Sequence, residues 1–205
     1  MRLVCCLVAL FSVTPAAAFA QAASAVREWE FEAVIYTYLL PEEPDFVVST
    51  LAADRGWLHL EARFNSEALD TGSAWLGYNL SGGDTVTWDV TPMVGAAFGD
   101  TDGIAPGYKG SVGWKKFEFY SEGAFVFARE SADSYLYNWS ELTFAPVEVF
   151  RFGLVTERTR VYQTERNIQR GLMVGGSFKQ LDLTGYVFNP DAETATFVLA
   201  IAVTF

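Results

Sequence analysis

The chain is poor in the side chains on which nucleophilic enzymes and metal sites most often depend. Its 205 residues include two cysteines and one histidine, His59. The two cysteines, Cys5 and Cys6, lie close to the start of the chain, in a segment that we expect to be removed. The remaining chain then has no disulfide, no thiolate nucleophile and no cysteine-based metal site.

Positive charge and long apolar runs are scarce as well. Lys and Arg together number 14 against 25 Asp and Glu, which gives a formal net charge of −11. Because an acidic surface repels phosphate backbones, nucleic acid is not an expected partner. Beyond residue 20, no stretch reaches the roughly 18 consecutive apolar residues that a transmembrane helix needs.

The first 20 residues have the pattern of an export signal. Arg2 precedes an apolar segment, residues 3–13, and small residues follow at Ala18-Phe19-Ala20. A basic start, a short apolar centre and an A-x-A site are typical of a cleaved signal peptide. Cleavage after Ala20 and cleavage after Ala22 fit equally well. We therefore expect residues 1–20 to be a signal peptide and residues 21–205 to form one exported domain.

Apolar and aromatic residues are abundant, and they alternate as they do in β-strands. Hydrophobic residues make up 51% of the chain and aromatic residues 16%. In residues 194–205, apolar side chains occupy every second position and mostly smaller residues occupy the positions between them. The apolar positions are Ala195, Phe197, Leu199, Ile201, Val203 and Phe205. Large apolar side chains towards lipid and small ones towards a lumen are typical of a membrane-spanning strand.

This last segment resembles the final strand of bacterial outer-membrane β-barrel proteins. Phe205, with apolar residues at alternate positions before it, resembles their C-terminal assembly signal. The resemblance implies recognition by the barrel-assembly machinery and a location in the outer membrane of a Gram-negative-type bacterium. Outer-membrane lipid and lipopolysaccharide are the partners that it implies.

The same alternation predicts eleven further strands upstream. They are expected at residues 28–39, 45–53, 57–65, 72–80, 85–97, 107–115, 116–128, 133–144, 147–158, 169–178 and 181–189. Short connections follow the even-numbered strands, at residues 54–56, 81–84, 115–116, 146 and 179–180. Longer acidic connections follow most odd-numbered strands, as at residues 65–71 and 100–106. Short periplasmic turns opposite longer outer loops are typical of these barrels. The prediction is an all-β fold, a closed antiparallel transmembrane β-barrel of twelve strands with both termini in the periplasm.

Two segments fit this pattern less well and keep alternatives open. Pro92 interrupts the fifth predicted strand, and proline belongs at sheet edges or bulges. In residues 133–144 the aromatic and apolar residues change parity at about Leu142, which a bulge could reconcile. A ten-stranded barrel is therefore the fallback, and a secreted periplasmic β-sandwich is the competing fold.

The residues opposite the apolar faces are expected to line the lumen. Placing Arg or Lys against lipid at mid-bilayer would cost about 2–4 kcal/mol, and the charged residues consistently occupy the other face. The predicted lumen-lining residues are Glu30, Glu32, His59, Glu61, Arg63, Asp89, Lys109, Glu118, Glu122, Arg151 and Asp182. If paired, they would fill and stiffen the interior. If unpaired, they would line an ion-selective pore.

The longest predicted connection, residues 157–170, is unusually basic for an acidic protein. It contains Arg158, Arg160, Arg166 and Arg170 against two glutamates. Outside the membrane, this candidate anion-binding loop would contact lipopolysaccharide phosphates, which match the guanidinium fork. Folded inward, it would form a cationic constriction. A solvated loop with local ion pairs is the third interpretation.

An enzymatic function has weak support. His59 could act with Ser73 or Asn79 on the adjacent predicted strand, as a membrane-embedded hydrolase would require. Glu118 and Glu122 are about 13 Å apart along one strand, beyond the separation that glycosidases use. The chain has no catalytic motif of high specificity, and we expect no catalytic residue, no cofactor and no metal site.

The sequence therefore favours a narrow outer-membrane channel, or a barrel that binds and passes a small solute. A plugged barrel that contacts lipopolysaccharide or another partner through its loops is the first alternative, and a hydrolase centred on His59 is the second.

Overall fold

The computed structural model describes residues 28–41, 43–66, 68–129, 134–161, 167–192 and 194–205. The expected signal peptide, residues 1–20, lies outside this range. The strand segments of the described residues are β1 (Glu30–Leu39), β2 (Phe46–Arg55), β3 (Leu58–Phe64), β4 (Thr71–Tyr78), β5 (Leu80–Gly82), β6 (Val86–Gly99), β7 (Gly103–Trp114), β8 (Phe117–Ala128), β9 (Tyr135–Val147), β10 (Phe150–Val161), β11 (Asn167–Phe178), β12 (Leu181–Phe188) and β13 (Thr196–Thr204). In this described part, no helix is long and apolar enough to cross a membrane.

The strands form one antiparallel sheet that closes on itself. Chain neighbours pair with each other, and β1 pairs with β13 from Glu32 opposite Thr204 to Leu39 opposite Phe197. The short β5 continues β4, because both pair with β6 in one register, with Gly77 opposite Met93 and Leu80 opposite Val90. The thirteen segments of the described residues therefore make twelve barrel strands. The predicted twelve-stranded closed barrel is confirmed, and the ten-stranded fallback is wrong.

The two irregular segments have different causes from those expected. Pro92 lies within β6 and leaves that strand unbroken, but the break between β4 and β5 falls opposite it, where proline has no N–H to donate. The β9 strand keeps one register with β8 throughout, so no bulge is needed. A register shift occurs instead between Phe150 and Phe152 of β10, beside Pro146.

The connections sort into a short side and a longer side. The short turns leave gaps of two or three residues, and left-handed residues such as Lys115 (φ 57°) and Lys179 (φ 57°) permit the tight reversal. The turn predicted at Pro146 falls instead at residues 148–149, because β9 runs on to Val147. Phe31 and Phe205 exchange backbone hydrogen bonds of 2.9 Å at the short-turn end, so the two ends of the described barrel meet there.

Two of the connections on the longer side are shorter than expected. The predicted loop 100–106 is reduced to residues 100–102, because β7 begins at Gly103 despite Pro106. The longest predicted connection, residues 157–170, is largely strand as well, since β10 extends to Val161 and β11 begins at Asn167. The residues between them, 162–166, lie outside the described range.

The barrel wall is apolar on its exterior and mixed on its interior. In β13, Phe197 and Leu199 are 54% and 47% exposed, whereas Val198 and Ala200 between them are buried at 2% and 6%. The same alternation recurs in the other strands, with apolar residues on the exposed face. A β-sandwich would bury such residues between two sheets, so the sandwich alternative is wrong. The exposed band is the surface that a lipid bilayer would cover.

Candidate functional site

Part of the barrel interior is filled by two clusters of buried side chains. One cluster comprises Trp139, Val155, Met173, Tyr186, Phe188, Val198 and Ala200. The other comprises Trp75, Met93, Ala105, Ala124, Val126 and Tyr135. Twelve strands enclose more space than eight, whose interior side chains alone can fill. The clusters occupy two sectors of this space and leave a third sector open.

The open sector is a cavity of about 310 Å³. It runs along the inner faces of β1, β2 and β3 and is closed on the far side by residues of β7, β8, β9 and β10. Residues 65, 66, 68 and 69, from the loop between β3 and β4, also line it, so the cavity reaches the side of the longer connections. Its charged lining consists of Glu32, Glu61, Arg63, Lys109, Glu122 and Glu157.

Glu61 is the centre of a buried charge network. Its carboxylate accepts a hydrogen bond from Lys109 Nζ at 2.5 Å and another from Arg63 Nε, and His59 Nε2 lies 3.2 Å from Glu61 Oε2. The other ring nitrogen, His59 Nδ1, lies 2.8 Å from Asp54 Oδ1. The Lys109 contact crosses the lumen, since β4 and β6 lie between β7 and β3. Both cations of the cavity lining are therefore ion-paired with the same carboxylate.

A second network lies on the opposite wall. Arg151 makes a bidentate pair with Asp182, with Nη1 and Nη2 donating at 2.5 and 2.7 Å, and Nη2 also donates to Thr184 Oγ1 at 2.7 Å. Ser177 completes the set by donating to Asp182. A bidentate pair between a guanidinium and a carboxylate holds both side chains in a fixed orientation. These residues therefore connect β10, β11 and β12 and limit their relative movement.

The other predicted lumen residues also occupy inward-facing positions of their strands. Ser111 of β7 donates a hydrogen bond to Asp89. Glu118 is half-buried and lies outside the cavity lining, whereas Glu32 is part of it. Glu30 is exposed at the start of β1, so it lies at the rim rather than in the interior.

The cavity also has an aromatic wall, which is absent from the list of predicted lumen-lining residues. Tyr36, Tyr38, Tyr120, Tyr137 and Trp139 all line it. Tyr36 of β1 and Trp139 of β9 meet across the lumen, with ring centroids 6.1 Å apart. The parity of Tyr135, Tyr137 and Trp139 was the available signal. No bulge is needed to explain it, because these residues face inward while Leu142 and Phe144 face outward.

Two interior glutamates also went unrecognised. Glu141 accepts hydrogen bonds from Trp139 Nε1 at 2.8 Å and from the Tyr186 hydroxyl at 2.9 Å. Glu157 falls where the predicted strand 147–158 and the predicted connection 157–170 overlap, and it belongs to β10 and lines the cavity. Both side chains face the same side of the barrel wall as Val155, which is fully buried, so both point into the interior.

The four arginines of the candidate anion-binding loop do not all belong to one loop. Arg158 lies in β10 and Arg170 in β11, and both share the outward parity of the exposed Leu154 and Leu172. Arg160 lies in β10 with a side chain outside the description, and Arg166 lies outside the described residues. Arg158 and Arg170 therefore do not point into the lumen, and for these two residues the expected cationic constriction is wrong.

Arg170 makes an exposed ion pair on the outer surface. Its Nη2 donates to Asp191 Oδ2 at 2.9 Å. The backbone N–H of Asp191 and the Arg170 guanidinium together hold the pKa of that carboxyl below its usual value. This pair is solvated, so it is expected to contribute little to stability.

The contacts of His59 build an ion-pair network rather than a nucleophile–base pair. Ser73 accepts a hydrogen bond from Trp75 Nε1 at 2.9 Å, and Asn79 donates to Asp54 at 2.6 Å. Both ring nitrogens of His59 face carboxylates. Among the described residues, no group of three or more His, Cys, Asp or Glu could hold a metal ion.

Comparison with known proteins gives a fold but no family. No protein-family model matches the sequence, and no curated protein matches it. Among solved structures, KdgM porin matches with a TM-score of 0.60 and 10% identity, over 85% of this chain and 99% of that one. A second structure, KdgM porin in complex with disordered oligogalacturonate, matches with the same TM-score and coverage at 8% identity. The chain has the fold of a porin.

The porin fold agrees with the features of the molecule itself. A closed barrel, an apolar exterior and a charged interior cavity are what a β-barrel channel requires. At 10% identity, the likeness concerns the course of the backbone, so the chemistry of the lumen has to be derived from this chain's own residues.

Proposed function

We propose that this protein is an outer-membrane channel that passes small solutes and favours cations. The observation that carries the proposal is the charge of the cavity. Its lining contains four carboxylates and two cations, and both cations are ion-paired with the same carboxylate, Glu61. A negative lumen in a low-dielectric wall concentrates cations and repels anions.

The apolar exterior and the porin fold support a membrane location, and the export signal supports the outer membrane. On this proposal residues 1–20 are removed on export, and residues 21–205 form the barrel. The short turns and the two ends of the barrel then face the periplasm, as is general for barrels of this type, and Phe205 serves the assembly machinery. The cavity opens towards the outer side.

Single-channel recording in planar bilayers tests whether the lumen conducts. The interior clusters leave room for a narrow path, so we expect small, resolvable conductance steps. Lys109→Met removes a cation and a cross-lumen contact, and we expect it to enlarge the steps. Traces that stay silent across a range of salts and voltages, for the wild type and for this variant, would show that the barrel is plugged.

A second, compatible role concerns the outer surface. Arg158 and Arg170 face outward on the outer parts of β10 and β11, where lipopolysaccharide phosphates would surround the barrel. Guanidinium groups bind phosphate through two parallel hydrogen bonds. Replacing both residues with Gln should weaken co-purification of lipopolysaccharide with the barrel. Unchanged co-purification would remove this role and leave the channel proposal intact.

A further inference from the structure

The cavity combines aromatic side chains with carboxylates, and the two sets are held together. The Tyr120 hydroxyl donates to Glu122 Oε2 at 2.8 Å, and the Tyr137 hydroxyl lies 3.5 Å from Glu122 Oε1. Tyr36 and Trp139 meet edge to face beside them. The aromatic wall and Glu122 are thus one connected and ordered surface, since each hydrogen-bonded phenol limits the rotation of its neighbour.

Two carboxylates of this surface have no neutralising cation. Within the described part of the chain, neither Glu122 nor Glu157 is ion-paired, whereas Glu61 has two cationic partners. Both lie on inward-facing strand positions beside buried apolar groups. Carboxylates in such surroundings are costly unless a positive charge approaches them. The cavity therefore favours a positively charged occupant.

The aromatic lining indicates which kind of cation the cavity favours. A hydrated metal ion gains most from oxygen ligands, and the described residues provide no cluster able to hold one. An alkylammonium group is attracted both by carboxylates and by the faces of Tyr and Trp rings. A cavity of about 310 Å³ lies at the small end of ligand pockets, which span about 300–1,000 Å³.

From these features we infer that the cavity is a binding site for small organic cations of the alkylammonium class. Tyr36, Tyr137 and Trp139 provide the aromatic contacts, and Glu122 and Glu157 provide the charge. The inference rests on the proposed channel function, because the ligand enters from the open side of the lumen. It assigns this chain a solute opposite in charge to the oligogalacturonate in the matching KdgM porin complex.

Calorimetric titration of the refolded barrel in detergent tests the inference. The probes are choline and 3,3-dimethyl-1-butanol, which has the same shape without the charge. We expect choline to bind at least roughly tenfold more tightly than the neutral probe, since a desolvated cation–π contact alone is worth that much. Equal affinities for the two probes, or no binding of choline, would overturn the inference.

Two matched variants locate the site. Glu157→Gln removes a cavity carboxylate and should weaken choline binding roughly tenfold. Glu118→Gln removes an inward-facing carboxylate that lies outside the cavity lining, and it should leave the affinity unchanged. Equal losses in both variants would mean that general lumen charge, and not this site, binds the probe. Heat-modifiable migration on SDS gels confirms that each variant is folded.

The outcomes separate the inference from the proposed function. A barrel that conducts potassium but does not bind choline would refute the cation site and keep the channel. A barrel that binds choline in the wild type, loses binding in Glu157→Gln and is silent in bilayers would keep the site and refute the channel.

Discussion

At the residue scale, one partly buried ion pair of the interior allows a direct measurement of its contribution to stability. Arg151 and Asp182 form a bidentate pair with side chains 18% and 23% exposed. Arg151→Met leaves Asp182 partly buried without its cation. A fully buried pair broken in this way costs about 3–5 kcal/mol, so we expect a loss of about 2–4 kcal/mol in the free energy of unfolding, measured by urea titration in detergent micelles.

The exposed pair Arg170–Asp191 is the matched control. Its side chains are 74% and 64% exposed, so Arg170→Met should leave the free energy of unfolding nearly unchanged. Equal losses from the two substitutions would contradict the bracing role that the structure gives Arg151.

Alternation along the strands is what made the interior residues recognisable in the sequence. Glu61 and Arg63 stand two positions apart, opposite Leu60 and Phe64, and that spacing alone sets their common face. The partners were not predictable, because they depend on how strands stagger around the barrel. Lys109 reaches Glu61 over two intervening strands, and no local pattern encodes such a contact.

At the scale of whole strands, one tight contact connects β4 with β6 and β7. The indole of Trp75 lies over Gly95 of β6, where an added Cβ would overlap the ring, and near Gly107 of β7, where a Cβ would lie 3.0 Å from the ring. Gly95→Ala should therefore lower the free energy of unfolding by about 1–3 kcal/mol, the usual cost of overpacking. The midpoint of urea unfolding measures it.

Gly185 of β12 provides the comparison, because an added Cβ meets nothing within 4 Å. Gly185→Ala should be neutral or slightly stabilising, by up to about 1 kcal/mol. A similar loss in both variants would show that glycine is needed for backbone reasons and not for the space that Trp75 occupies.

Most strands were predictable because large apolar residues on the lipid-facing side alternate with small or polar residues on the lumen side. The errors fall where that rule does not operate. The last part of β10 carries Glu157 and Arg158, where the predicted strand 147–158 and the predicted connection 157–170 overlap. The sequence is ambiguous there because Arg158 occupies an outward-facing position at which an apolar residue is expected. In β9 the rule was obscured, because Tyr137 and Trp139 are aromatic residues on the lumen side.

For the molecule as a whole, the apolar band on the exterior predicts how the stability cost of an introduced charge varies with its depth in the bilayer. Leu154 of β10 is exposed among apolar neighbours, with Leu142 and Leu172 opposite it. Leu154→Arg should cost about 2–4 kcal/mol in lipid vesicles, as for a cation at mid-bilayer. Thr156→Arg, two positions further out and opposite Ser140 and Arg170, should cost at most about 1 kcal/mol.

Urea unfolding in vesicles measures both variants. Equal costs at the two positions would place the bilayer elsewhere on the barrel than the apolar band indicates.

The central claim is that the acidic lumen passes cations, and the reversal potential under a KCl gradient tests it most directly. The cavity lining has four carboxylates and two cations, and both cations are ion-paired with Glu61. Among the described residues, Glu122 and Glu157 face the lumen without a cationic partner. The zero-current potential should therefore lie close to the potassium equilibrium potential, and Glu122→Gln with Glu157→Gln should move it towards zero. A potential on the chloride side for the wild-type barrel would contradict the account.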